Sequence, residues 1–129
     1  MSGDLNAGES LRGLRIMLVE DDPLISLDLE VSLSELGAIV TPASSVPDAL
    51  KIMAATPLDF AVLDFELGAS TSEAIAHAAI AHNVLFLYLS GYSERDERFG
   101  RWPGIDVLAK PISVRTLARH IRQTLARRA

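Results

Sequence analysis

The sequence predicts an α/β domain built on a doubly wound, five-stranded parallel sheet with helices on both faces. Three observations carry that prediction. Five short apolar runs recur along the chain, most of them continuous rather than alternating, as strands buried on both faces require. Amphipathic runs with recognisable caps lie between them. The 129 residues, 49% hydrophobic and 22% charged, suit one domain able to bury a core without a disulfide or structural metal.

The elements follow in order. Residues 1–13 are small, polar and without periodicity, and are expected to form a flexible leader before a domain spanning 14–129. The first strand is expected at 16–19 (IMLV). Asp22 then caps a helix with Pro23 at its first position and Gly37 closing it. Leu24, Ile25, Leu27, Leu29, Val31 and Leu33 give that helix a broad apolar stripe. A second strand at 38–40 precedes a helix at 47–55, whose start falls near Ser45 or Val46. The third strand (60–63) leads to an alanine-rich helix at 71–82, small enough on its inner face to lie close to a sheet. A fourth strand (84–89) and a fifth (105–108) flank the segment GYSERDERFGRWPG, 91–104. Alternation asks for a fourth helix there, but Gly91, Gly100, Pro103 and Gly104 leave room for only a turn or two. A shortened or mobile element is the expectation. Ser113 caps the last helix, with Val114, Leu117, Ala118, Ile121 and Leu125 at helical spacing.

Composition excludes several functions. With no cysteine there is no disulfide scaffold, zinc ribbon, iron–sulfur site or thiol nucleophile. No apolar run reaches membrane-spanning length, and the first residues lack the basic and apolar parts of a secretory signal, so a cytoplasmic protein is expected. The formal net charge of −5 argues against nonspecific nucleic-acid binding, which depends on phosphate neutralisation. Charge is graded: residues 1–64 carry 11 acids and 3 bases, residues 101–129 carry 7 bases and one acid. The basic end is read as a solvated helix face.

In an open α/β sheet, ligands bind beyond the carboxyl ends of the strands. Glu20, Asp21 and Asp22 follow the first strand; Asp64 ends the third, with Glu66 two residues on; Ser90 ends the fourth; Lys110-Pro111 follows the fifth. Each has an ordinary explanation, as helix cap, turn residue or strand break, and their conjunction on one edge is what points to function. Carboxylates brought together there repel unless a cation joins them, and oxygen-only ligands with open positions suit Mg²⁺. Asp64 then has the surroundings of a carboxylate nucleophile able to form an aspartyl phosphate, with the metal, Lys110 and the Ser90 hydroxyl to neutralise phosphoryl oxygens. Lys110 stands out because the chain has only two lysines.

The segments IMLVEDDPLI (16–25), FAVLDFELG (60–68), FLYLSGY (86–92) and LAKPIS (108–113) resemble those of a bacterial two-component response-regulator receiver domain, with its flavodoxin-like fold. The resemblance covers 14 to about 127, and the 43-residue separation of Asp21 from Asp64 is typical of it. It implies that Asp64 is the phosphoacceptor and that Glu20 and Asp21 are the acidic pair. Asp21 and Asp64 would ligate Mg²⁺ with the Glu66 backbone carbonyl, Ser90 would be the switch hydroxyl, Lys110 the phosphate-binding lysine, and Lys110-Pro111 a cis peptide. A sensor histidine kinase or histidine phosphotransfer protein would be the donor. Departures are a short Asp64-to-Ser90 interval, ELGAST in place of the usual Pro…Gly pattern, and Val107 where an aromatic switch residue normally stands. Tyr88-Leu89-Ser90-Gly91-Tyr92 resembles the signature of the FAT GUY regulators of alphaproteobacteria, which makes Tyr92 a second switch candidate.

The expectation is a stand-alone phospho-switch, not an enzyme, working by protein contact or as a phosphate sink, with no output domain after the last helix. The alternative is a small haloacid-dehalogenase-like phosphatase. It is disfavoured because Asp64-Phe65-Glu66 is not Asp-x-Asp and the acidic pair precedes the nucleophile. A degenerate, binding-only receiver is disfavoured because no part of the site is missing. His77, His82 and His120 lack metal-ligand spacing and are read as surface or half-buried; Trp102 is read as a cap over the core edge.

Overall fold

The computed structural model describes residues 10–91 and 104–128. In chain order the elements are β1 (Arg15–Val19), α1 (Pro23–Glu35), β2 (Ile39–Ala43), α2 (Val46–Ala55) and β3 (Phe60–Asp64). Then come two-residue strands β4 (Glu66–Leu67) and β5 (Ser70–Thr71), α3 (Glu73–Ala81), β6 (Leu85–Ser90), β7 (Val107–Ala109) and α4 (Val114–Arg128). Five strands pair in parallel in the order β2-β1-β3-β6-β7, the sheet the sequence predicts. The expected fourth helix, Tyr92 and Trp102 fall on 92–103, outside the described residues.

The pleat sorts each inner strand's side chains into two cores. Met17, Val19, Ala61, Leu63, Phe86 and Tyr88 point to one face, where Ala49 and Met53 of α2 and Ile75, Ala76 and Ala79 of α3 cover them. Ile16, Leu18, Phe60, Val62, Leu87 and Leu89 point to the other, under Leu29 and Leu33 of α1 and Leu117, Ala118 and Ile121 of α4. β3, at the centre, is buried at all five positions, which is why its first four residues are a continuous apolar run. Of the α3 alanines, Ala76 and Ala79 pack into the core against the sheet, as expected. Each large side chain buried this way contributes about 1.5–3 kcal/mol of transfer free energy. β2 tolerates Pro42 because it is an edge strand, where a missing N–H breaks no ladder.

Caps fall where the sequence puts them. Asp22 Oδ1 accepts from Leu24 N at 2.9 Å and Ile25 N at 3.3 Å, Ser45 Oγ from Asp48 N at 3.3 Å, and Ser113 Oγ from Thr116 N at 3.2 Å. Gly37 ends the first helix region at φ +103°, and a Cβ there would meet the Arg12 Cα at 2.7 Å.

Three expectations change. The leader is shorter: Leu11 is fully buried and its N–H donates to Leu36 O at 2.9 Å, so packing begins before residue 14. The apolar stripe of α1 is only partly used: Leu29 and Leu33 are buried, whereas Leu24, Ile25, Leu27 and Val31 are exposed. Apolar residues run most of the way round α1, and one helix face is all that the sheet and α4 can cover. The segment after β3 forms an unanticipated antiparallel hairpin, β4–β5, turning through Gly68 at φ +60°. His120 is half-buried, with Nδ1 3.1 Å from Asp106 Oδ2, a partner its local sequence does not disclose; His77 and His82 are exposed.

Candidate functional site

The strand order places the change of winding direction between β1 and β3, which carries the crevice of such sheets. Glu20 follows β1 and stays on the ladder, its N–H donating to Ala43 O at 3.0 Å. Asp64 is the last residue of β3, and Phe65 N–H continues the pairing to Leu89 O at 2.8 Å. Ser90 ends β6, and Lys110, just past β7, donates its N–H to Ser90 O at 2.9 Å. Backbone bonds of the sheet therefore hold each of these residues in place. The Lys110-Pro111 peptide is cis, as the resemblance implies.

Glu20, Asp21 and Asp64 each offer a carboxylate oxygen, and these atoms lie within 4.8 Å of one another. Glu20 and Asp64 are buried and Asp21 is open to solvent. Lys110 Nζ stands 3.1 Å from Asp64 Oδ1 and 3.8 Å from Glu20 Oε1. One Glu20 oxygen, Oε2, accepts from Asp22 N–H at 3.1 Å, whereas Oε1 is buried without a hydrogen-bond partner.

The charges are poorly balanced in the absence of a cation. Burial pushes the Glu20 carboxyl up to about 7, aided by the Asp64 charge and opposed by the Asp22 N–H and Lys110. Burial likewise raises Asp64, against the hydrogen bond and charge of Lys110. Burial pulls Lys110 down, but the Asp64 hydrogen bond and the surrounding carboxylates outweigh it and leave the ammonium more firmly protonated. A buried carboxylate oxygen that accepts no hydrogen bond, beside two further carboxylates, is a donor set that fits a hard divalent cation with room for water or another oxygen ligand.

Ser90 and Glu66 are brought to the same edge but engage each other. Ser90 Oγ donates to Glu66 Oε2 at 2.8 Å, and Gly91 N–H donates to Glu66 Oε1 at 3.2 Å. The resemblance implies a site role for the Glu66 backbone carbonyl, and the structure adds this use of its side chain. The hairpin is the reason: it returns the chain beside β3, and β3–β6 register pairs Asp64 with Leu89, so the residue two past Asp64 comes level with the end of β6. Val107 lies on β7 opposite Tyr88, with no aromatic at that position.

No protein-family model and no curated protein matches the sequence. Solved structures do match the fold. A response regulator receiver protein from Sinorhizobium medicae is similar at TM-score 0.81 and 25% identity, over 93% of this chain and all of that one. A response regulator from Thermotoga maritima, in complex with Mg²⁺-BeF, is similar at TM-score 0.75 and 22% identity, over 86% of this chain and 98% of that one. A response regulator from Burkholderia pseudomallei, with a phosphorylated aspartic acid, a calcium ion and citrate, is similar at TM-score 0.77 and 22% identity, over 88% of this chain and 69% of that one. The chain thus has the flavodoxin-like receiver fold, with an acidic, lysine-bearing cluster at the carboxyl edge of its sheet. Its structural neighbours are response-regulator receivers.

Proposed function

We propose that this chain is a response-regulator receiver that accepts a phosphoryl group on Asp64 from a sensor histidine kinase or a histidine phosphotransfer protein. The observation that carries the reading is Asp64 itself: a buried carboxylate at a strand end, 3.1 Å from a lysine ammonium and within a cluster of three acids. Glu20, Asp21 and Asp64 would hold Mg²⁺, with the Glu66 backbone carbonyl as a further ligand. When bound, the metal supplies positive charge to a phosphoryl oxygen that a site of three carboxylates would otherwise repel.

The chain's own groups do the rest. An Asp64 carboxylate oxygen forms the new O–P bond as the donor's P–N bond breaks, its electron pair leaving with the imidazole nitrogen. Lys110, fixed by its backbone bond to Ser90, presents its ammonium to one phosphoryl oxygen, and the Ser90 hydroxyl donates to another. The adduct biases the end of β6, and output follows by protein contact or by draining phosphate from the donor. On this reading the protein is cytoplasmic, contacts neither nucleic acid nor membrane directly, and performs no turnover beyond slow self-dephosphorylation. Among the described residues no helix is long and apolar enough to cross a membrane. The run Tyr88-Leu89-Ser90-Gly91 supports a place in the FAT GUY subgroup.

Intact-protein mass spectrometry after incubation with Mg²⁺ and a small acyl-phosphate donor tests the proposal, beside an Asp64→Asn control and a histidine-kinase donor. A Mg²⁺-dependent phosphoryl adduct, absent from the control, is the expected result. Absence of an adduct with either donor, or sustained turnover of a phosphate ester, would overturn it.

A further inference from the structure

The Glu66 carboxylate accepts two hydrogen bonds from the end of β6. One is the hydroxyl of Ser90, which is fully buried, and the other is the backbone N–H of Gly91. A hydroxyl and an adjacent backbone N–H, spread over two oxygens of one anion, form the kind of donor pair that stabilises an oxyanion. They stand on the strand next to Asp64, and the Glu66 charge is among those felt by both Asp64 and Lys110.

We infer that Glu66 is an internal anionic plug. Its carboxylate occupies the donors that a phosphoryl oxygen on Asp64 needs, so phosphoryl binding must first expel it from Ser90 and Gly91. The inference rests on the phosphoacceptor reading and adds a positioning residue to it.

The physical case is competition for donors that cannot be shared. Ser90 has one hydroxyl proton and Gly91 one amide proton, and each is directed at the carboxylate. A second anion brought beside Asp64 meets the Glu66 charge as well as losing these two donors. The backbone of Glu66 does not readily yield, because Leu67 is buried in the core and Glu66 and Leu67 pair with Thr71 and Ser70. Release is therefore a swing of the side chain toward solvent and not an opening of the segment. After that swing the Ser90 proton is free to donate to the new group, which couples occupancy of Asp64 to the conformation of Glu66.

The test is a titration of the Mg²⁺-saturated protein with beryllium fluoride, a phosphoryl stand-in, comparing wild type, Glu66→Ala and Glu66→Gln. Calorimetry gives the Kd, and the Gly91 amide resonance reports the donor. The Ala variant is expected to bind beryllium fluoride about tenfold more tightly or better, equivalent to about 1.4 kcal/mol. The Gln variant, which keeps an acceptor and loses the charge, should fall between. In the free proteins the Gly91 amide should shift between wild type and Ala, and in the beryllium fluoride complexes this difference should shrink. Equal or weaker binding by both variants, with melting transitions intact, overturns the plug. If Glu66→Ala does not fold, the Gln variant alone decides the sign. If all three proteins bind Mg²⁺ and none binds beryllium fluoride, the phosphoacceptor reading itself falls and takes the plug with it.

Discussion

Replacing Glu20 by Gln isolates the electrostatic tension at the site. In the metal-free protein, burial holds the Glu20 carboxyl at about 7 in place of its ordinary 4.5. A carboxyl that titrates higher in the folded state than in the unfolded chain is favoured there in its protonated form. Its contribution is therefore best below about pH 4.5, worsens as pH rises through 4.5 to 7, and is fully unfavourable above about 8. The interval from 4.5 to about 7 sets a ceiling of about 3 kcal/mol on that loss, and coupling to Asp64 and Lys110 leaves about 1–3 kcal/mol as the working range. For a domain of this size that is about 4–12 °C in Tm. Thermal melts in chelator between pH 5 and 8 should show wild-type stability falling with pH and the Glu20→Gln slope much flatter. Adding Mg²⁺ at about a hundred times its Kd should return about 2.7 kcal/mol to the wild type at pH 8 and less to the variant. A wild-type profile that is level from pH 5 to 8 without metal, or an unchanged slope in the variant, would refute the reasoning.

Gly37→Ala should cost about 2 kcal/mol or more in urea unfolding, because a residue at φ +103° acquires a Cβ 2.7 Å from the Arg12 backbone; a shift below about 0.5 kcal/mol would contradict that. Leu33→Ala, on the buried face of α1, should lose about 2–5 kcal/mol, whereas Leu27→Ala, 58% exposed on the same helix, should stay within about 0.5 kcal/mol. Asp59 accepts from the Arg15 backbone N–H at 2.8 Å and from two nitrogens of its guanidinium at 3.2 Å, and the guanidinium hydrogen bond holds its carboxyl below the usual range. That interaction stabilises the fold above the unfolded pKa of Asp and is lost as pH falls through the lower folded value. Asp59→Asn should accordingly be less stable than wild type at pH 7 and converge with it in strong acid, measured by urea midpoints.

The inner strands are legible because burial on both faces keeps charged residues out of their interiors, as in β3, FAVLD, which turns acidic only at its last position. The site is legible for the same reason. Asp64, Ser90 and Lys110 are polar residues placed where apolar strands end, and strand ends share an edge in this topology. Three things are hidden. The face of α1 that meets the sheet is not readable from a helix apolar on several sides, since Leu24 and Leu29 look alike until the packing is known. The β4–β5 hairpin is two residues per strand, too short for any period to show. The side-chain role of Glu66 depends on β3–β6 register and on that hairpin together, neither of which is local to Glu66. An acid two positions after Asp64, with a hydroxyl ending the neighbouring strand, is the only trace of it in the sequence.

The lysine arrives on the least secured member of the sheet. Among the described residues β7 has three residues, is bonded along one side to β6, and buries only Leu108, whereas the carboxylates sit at the ends of β1 and β3, each paired on both sides. A short edge strand opens at lower free energy than interior ones. Fraying of this edge would carry the ammonium away from Asp64 and Glu20 while the acids keep their places, leaving a partly compensated pocket more strongly anion-repelling without disturbing the rest of the molecule. On the proposed function, competence for phosphoryl uptake should then vanish along a gentle denaturant series while the helical signal is still whole. The strength of a three-residue seam, and not the stability of the domain, would set the temperature at which the acidic cluster loses its lysine.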